Sequence, residues 1–178
     1  SVDNQLENSL TQAALSINQN LFITHRLDSL TEGLIVYAKN QNFVRNFNLQ
    51  MQSRSIEKKY VALVEETKLL PEHLIHYMEP SPKAPKKLSN SFQEGWLFCE
   101  LKIEEQKKIS GDNSWVKINL LTGRTHQIRS QLAFSDAPIV GDHAYGAKQV
   151  FRNNAIALRA CEIEFNWGSE RLKFNLSE

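Results

Sequence analysis

"GWLFCELKIEEQ" (Gly95–Gln106) and "SWVKINLLTG" (Ser114–Gly123) decide the fold. In both, apolar and polar residues alternate, the period of a strand with one face buried. The polar turn around Gly111-Asp112 joins them as an antiparallel pair. Further strands flank this hairpin. In "EKKYVALVEE" (57–66), Tyr60, Ala62 and Val64 alternate with Val61 and Leu63, giving a strand apolar on both faces. "NAIALRACEIEFNW" and "RLKFNL", separated by Gly168-Ser169, read as a closing hairpin, and Leu34–Ala38 behind Gly33 as a short strand covered on both faces. Helices fall between them. Leu6, Leu10, Ala14 and Ile17 recur at helical spacing. Asn40 can cap a second helix that carries Phe43, Val44, Phe47 and Met51 on one face and ends near Ser53-Arg54, and a short helix runs from about His126 to Phe134. "EPSPKAPKKLSNS" (79–91), with three prolines and three lysines, is a loop, a hairpin tip or a binding loop. Strands and helices mixed without regular βα alternation predict an α+β fold, a mixed, largely antiparallel sheet flanked by helices.

A chain of 178 residues, 41% hydrophobic, can bury one sizeable core, so residues 1–178 are expected to form one domain. The net charge of +1 lacks the basic excess of a typical nucleic-acid binder, and any such binding must come from local clustering. Cys99 and Cys161 lie far apart with no C-x-x-C and no histidine at zinc spacing, which predicts buried free thiols in a reducing cytoplasm. The chain has no apolar stretch of membrane-spanning length, and "SVDNQLENSLTQ" is too polar for a signal peptide; a soluble, cytoplasmic protein is expected.

Two stretches concentrate chemistry. "ITHRLDSLTEGLIVYAK" (Ile23–Lys39) sets His25, Arg26 and Asp28 at the mouth of the expected strand, where the ordinary role of Asp28 would be an Asx-turn. "LLTGRTHQIRSQLAFSDAPIVGDHAYGA" (Leu120–Ala147) places Arg124 and Arg129 beside the start of the third helix. That combination could hold a phosphate; the alternative is a strand-to-helix connection whose arginines face water. "APIVGDHAYG" reads as a rigid loop in which Asp142 and Tyr145 bond backbone groups that the loop leaves unpaired.

Together, "HRLDSLTEGL", "EKKYVALV" and "TGRTHQIRSQLAFSDAPIVGDHAYG" resemble, in that order, the motifs of the RluA-type RNA pseudouridine synthase family, over about Ile23 to Gly146. The resemblance implies the pseudouridine synthase catalytic-domain fold and isomerisation of a uridine in structured RNA, ribosomal or transfer, without cofactor or metal. It makes Asp28 the essential carboxylate, which either attacks the ribose anomeric carbon or removes a proton from the neighbouring ribose carbon. Both routes need the ionised form. Enclosed under base and sugar, a carboxylate tends to take up a proton unless a cation holds it charged; at about 4 Å and an effective dielectric near 20 one such pair gains roughly 4 kcal/mol before desolvation. The resemblance gives that role to Arg129, with Arg124 as the alternative. Tyr60 then stacks on the target base and helps move the carbon-5 proton. Arg26 pushes the nucleotide out of its stack, His25 shapes the loop and Ile128 packs beneath the base. Lys59, with Arg54, Lys58, Lys83, Lys86, Lys87, Arg124, Lys148 and Arg152, would meet the RNA backbone.

Two departures bear on this reading. Glu32 stands where the family usually has a small hydroxyl residue, adding a carboxylate near Asp28 unless it pairs with a base. Family members also carry a strand and a K-P-x-G loop ahead of the first helix, so 1–178 is expected to be a catalytic domain lacking that upstream strand. Two other functions follow from other weightings of the same residues: an inactive RNA-binding protein of this fold, or an aspartate-dependent glycosidase with Glu32 as second carboxylate. A monomer is expected.

Overall fold

The computed structural model describes Gln12, Leu15 and residues 20–66, 68–109, 111–152 and 155–176. The expected first helix, with Leu6, Leu10, Ala14 and Ile17 on its face, lies outside the described residues. The strands are β1 (Phe22–Ile23), β2 (Glu32–Gly33), β3 (Tyr37–Ala38), β4 (Glu57–Val64), β5 (His73–Met78), β6 (Leu88–Ser89), β7 (Leu97–Lys108), β8 (Ser114–Leu120), β9 (Leu158–Trp167) and β10 (Glu170–Asn175). The helices are α1 (Gln41–Gln52) and α2 (Gln127–Phe134).

An eight-stranded sheet runs β10-β9-β4-β8-β7-β5-β6, with β2 added in parallel to β9. The other described pairings are antiparallel, so the α+β expectation with a largely antiparallel sheet holds. The deciding hairpin is present as β7 and β8, with Ile103 opposite Ile118. Segment 79–91 is the tip of a hairpin, because β6 folds back onto β5 with Met78 opposite Leu88.

The expected strand Leu34–Ala38 does not form. Its apolar run is divided: β2 stops at Gly33, and β3 leaves the large sheet to pair with β1. The cause is Gly33. Its φ of +125° is a conformation that side chains rarely adopt, and a Cβ there would lie 2.2 Å from the Ala160 carbonyl oxygen. Leu34 N–H still donates to that oxygen at 2.9 Å, after which the chain turns and lays Leu34 and Val36 against α1 instead of into the sheet.

Helix α1 begins as its sequence predicts, with Asn40 Oδ1 accepting from Phe43 N–H at 2.9 Å, and its Phe47 is 1% exposed against Ile163 and Phe165 of β9. Burial of one such ring stabilises by about 1.5–3 kcal/mol. Helix α2 covers a second apolar cluster, in which Ile128 and Leu132 meet Tyr60, Val116, Ile118 and Leu158. It is pinned by buried amides. Gln127 accepts from the Thr122 hydroxyl and Arg124 N–H and donates to the Glu100 carbonyl and Gln131 Oε1, while Gln131 donates to the Leu74 carbonyl. Met51 of the first cluster and Tyr60 and Ile128 of the second line one cavity, which opens where the two clusters meet.

Candidate active site

That cavity has a volume of about 740 Å³, and His25, Arg26, Asp28, Tyr60, Arg124 and Ile128 all line it. Three chain segments distant in sequence therefore converge there. Asp28 sits in a turn closed by the backbone, Thr31 N–H donating to the Asp28 carbonyl at 2.9 Å. Its carboxylate faces Arg129, with Oδ2 3.8 Å from Nη1.

Arg129 is 3% exposed, and its principal partner is not Asp28. Nε and Nη2 donate to the two carboxylate oxygens of Asp142 at 2.7 and 2.8 Å, a bidentate pair with Asp142 itself 1% exposed. Asp142 was expected to bond loose backbone in its loop; instead it is the counter-charge that fixes the arginine. Nη1, the remaining nitrogen, is directed to His126 Nε2 at 3.1 Å and to Asp28. The guanidinium also lies over the Tyr145 ring, 5.0 Å from its centroid. Burial alone would lower the Arg129 pKa, but the hydrogen bonds and charge of Asp142, with Asp28 adding to them, raise it. The cation is permanent. Arg129 is thereby withdrawn from the expected phosphate site at the start of α2, where Gln127 N–H is also occupied, by the Arg124 carbonyl.

His126 holds this arrangement at a cost in backbone freedom, with φ 58° and ψ 22° in the left-handed region. A guanidinium can only donate, so Nε2 of His126 accepts from Arg129. The neutral ring then carries its proton on Nδ1 and donates it to the Tyr145 hydroxyl at 3.1 Å. Burial, more than the neighbouring charges, keeps the His126 pKa below its ordinary value, so the ring is neutral at pH 7. The Tyr145 oxygen also accepts from Lys86 N–H at 3.0 Å, tying the 79–91 hairpin to the site.

Tyr60 is 9% exposed at the cavity wall, and burial first, then the charges of Asp28 and Cys161, push its phenol pKa upward. It is a neutral ring surface rather than a base. Beside it, β9 carries one residue more than β4: Lys59 pairs with Glu162 and Tyr60 with Ala160, leaving Cys161 as the bulge. Bulges re-aim side chains next to sites. Alternation along β4 puts Lys58 on the Tyr60 side and Lys59 on the other. Lys58 lines the cavity, whereas Lys59 Nζ is bound to Glu104 at 3.0 Å and Glu162 at 3.7 Å, which corrects the expectation that Lys59 meets substrate.

Glu32 is taken up elsewhere, its Oε1 accepting from Arg159 Nε at 2.9 Å and lying 3.6 Å from Arg152. It lends the cavity no second carboxylate. Among the described residues Asp28 is the one carboxylate in the lining, and no group of three potential metal ligands occurs. The glycosidase reading loses its second acid.

His25 turns its ring to the frame of the site. Val36 N–H donates to Nε2 at 3.1 Å, and the ring stacks on Phe47 at 5.9 Å. Burial, aided by the charge of Lys58, lowers its pKa from 6.5 to about 4. With the folded value below the unfolded one, the neutral ring favours folding fully above pH 6.5, and that contribution is lost as pH falls towards about 4. The wild-type melting temperature should therefore fall more steeply across that window than that of His25→Gln, by an equivalent of up to about 3 kcal/mol. Parallel curves would show that His25 does not titrate there.

The class defined so far is an α+β domain whose cavity sets one aspartate against a locked, buried arginine and a tyrosine. Residues 3–134 match the family model described as RNA pseudouridylate synthase. The chain belongs to that family. It is 36% identical over 166 residues to the chloroplastic RNA pseudouridine synthase 6 of Arabidopsis thaliana, covering 80% of this chain and 35% of that protein. It is 32% identical over 160 residues to the ribosomal large subunit pseudouridine synthase C of Buchnera aphidicola, covering 83% of this chain and 49% of the relative. This chain thus spans from about a third to a half of these curated relatives. Human RNA pseudouridylate synthase domain containing 4 superposes with a TM-score of 0.77 at 20% identity, covering 97% of this chain and 78% of that one, which bears out the fold. The RluA-type resemblance read from the motifs agrees with the match to the synthase C relative.

Proposed function

We propose that this chain is an RNA pseudouridine synthase whose cavity receives a uridine flipped out of structured RNA. The observation that carries the reading is the Asp28–Arg129–Asp142 arrangement: a cavity carboxylate faces a guanidinium that a buried second carboxylate has already oriented. A site required to keep Asp28 ionised beneath an enclosed nucleoside needs a fixed cation on its protein side. Arg129 is locked in that position before substrate arrives. Asp28 then acts at the ribose, by attack on the anomeric carbon or by removing the neighbouring ribose proton. The uracil, once released, turns between the Tyr60 ring and Ile128 and rejoins through carbon 5. Flipping costs a few kcal/mol of unstacking, and in this reading Arg26, an exposed residue of the cavity lining, fills the gap in the RNA stack. The name of the Buchnera relative favours ribosomal RNA among structured RNAs.

Release of tritium from RNA carrying 5-tritiated uridine tests this directly, because formation of the new carbon–carbon bond expels the hydrogen on carbon 5. Tritium release that depends on Asp28 is the expected result. RNA binding without release, from this chain and from a longer natural chain on total cellular RNA, would replace the reading with that of a binding protein of the same fold.

A further inference from the structure

Next to the active-site cavity lies a second, of about 270 Å³. The two share Met51, Lys58, Leu120, Gly123 and Arg124 as walls. The smaller one is lined by three cations, Arg54, Lys58 and Arg124, and by no carboxylate. Neither Lys58 nor Arg54 has a side-chain ion pair or hydrogen bond among the described residues, and Arg124 reaches just the Phe98 carbonyl, at 3.5 Å. Lys59, Lys87, Lys102, Arg159 and Arg171 each have a carboxylate partner, and the unpaired Lys39, Arg45, Lys83, Lys108 and Lys148 are exposed to solvent, whereas Lys58 is withdrawn from it. Lys58 is also the least solvated of the three, and burial lowers its pKa. Its ammonium lies against Gly123, where an added Cβ would come within 3.1 Å of Nζ. A half-buried ammonium without a counter-charge costs free energy unless a ligand supplies the anion.

We infer that this basic cavity seats a backbone phosphodiester of the substrate RNA next to the flipped uridine, with Lys58 as the inner contact and Arg54 and Arg124 at its sides. The inference rests on the RNA reading above. Shared walls put an anion in the second cavity within about one nucleotide of a nucleoside in the first. Such a contact carries no sequence information; it sets the register of the strand so that one particular nucleotide faces Asp28. It also distinguishes three members of a dispersed basic surface from the rest: Arg54, Lys58 and Arg124 act at one phosphate.

Binding of a fluorescein-labelled RNA stem-loop with uridines in its loop, followed by anisotropy across a salt series, tests the seat. Lys58→Met, Arg54→Gln and Arg124→Gln should each weaken binding. Because the three share one phosphate, each change should lower the slope of log affinity against log salt, by at most about 0.7–0.9. Lys173→Gln serves as the control, since Lys173 pairs at 3.0 Å with Glu162, a partner of the outward-facing Lys59, and its slope should equal that of wild type. Where Lys58→Met fails to fold, Arg54→Gln and Arg124→Gln, both at exposed positions, decide, and unchanged slopes in the two overturn the seat. Inorganic phosphate should compete with RNA on wild type and much less on Lys58→Met. Unchanged slopes in Lys58→Met and Arg54→Gln overturn the seat; phosphate competition with unchanged RNA slopes makes the cavity a free-anion site and overturns it equally. A chain that releases tritium but shows insensitive slopes fails here alone. One that shows the expected slopes but releases no tritium fails as an isomerase alone.

Discussion

Asp28→Asn should lower tritium release by at least about three orders of magnitude, the upper range for removal of a positioned acid or base, and leave the melting temperature nearly unchanged. The two halves of this expectation come from different features. Loss of turnover follows from chemistry: either route at the ribose needs a negative oxygen, and asparagine offers a neutral amide of the same shape. Retention of the fold follows from geometry. The Asp28 side chain is 24% exposed, its turn is closed by its own backbone carbonyl, and its approach to Arg129 at 3.8 Å is the weakest of that arginine's charged contacts. Removing a partly exposed charge at that distance leaves Arg129 still bound to Asp142 through two hydrogen bonds. RNA affinity should hold or rise slightly, because one negative charge facing a polyanion is gone. Loss of cooperative unfolding in Asp28→Asn would instead make the carboxylate a structural element of the turn.

Much of this was legible in sequence, and for a physical reason. Strand alternation in β7, β8 and β4, the Asn40 cap and the Gly111 and Gly168 turns are local signals, each set by a few neighbouring residues. Asp28, Tyr60 and Arg129 stood out because they lie in dense motifs. What sequence did not yield was tertiary. The division of Leu34–Ala38 depends on how closely Gly33 approaches Ala160, a residue more than a hundred positions away. Asp142 looked like loop chemistry since nothing near it announces that its partner is Arg129, although an acid shortly after a helix bearing a buried arginine is a signal that could have been weighed. His126 gave no sign of its left-handed backbone, nor of the neutral ring linking Arg129 to Tyr145. The exchange of Lys59 for Lys58 is different: a period of two counted back from Tyr60 would have put Lys58 on the cavity side.

Asp142→Asn should be the most destabilising single change in the site, costing about 3–5 kcal/mol in urea unfolding, the range for breaking a buried ion pair from one side. Arg129 is 3% exposed and Asp142 1%, so neither charge can recover its hydration when the other is removed. Asparagine can accept one hydrogen bond from Nε or Nη2 but supplies no counter-charge, and Asp28 at 3.8 Å, partly in solvent, cannot take over without moving the turn. Against a total stability of about 5–15 kcal/mol, such a loss consumes much of the margin. The double substitution Arg129→Met with Asp142→Leu removes both charges and should recover a large part of the stability while leaving turnover abolished. That divergence separates the two functions of the pair. If Asp142 served merely to hold its loop together, the double variant would be as unstable as the single one. If Arg129 were satisfied by Asp28, Asp142→Asn would unfold within about 1 kcal/mol of wild type. The expected pattern, with the single change unstable and the double stable and inactive, would mean that the buried carboxylate is retained to keep a cation fixed behind Asp28, at a cost in stability that an apolar pair would avoid.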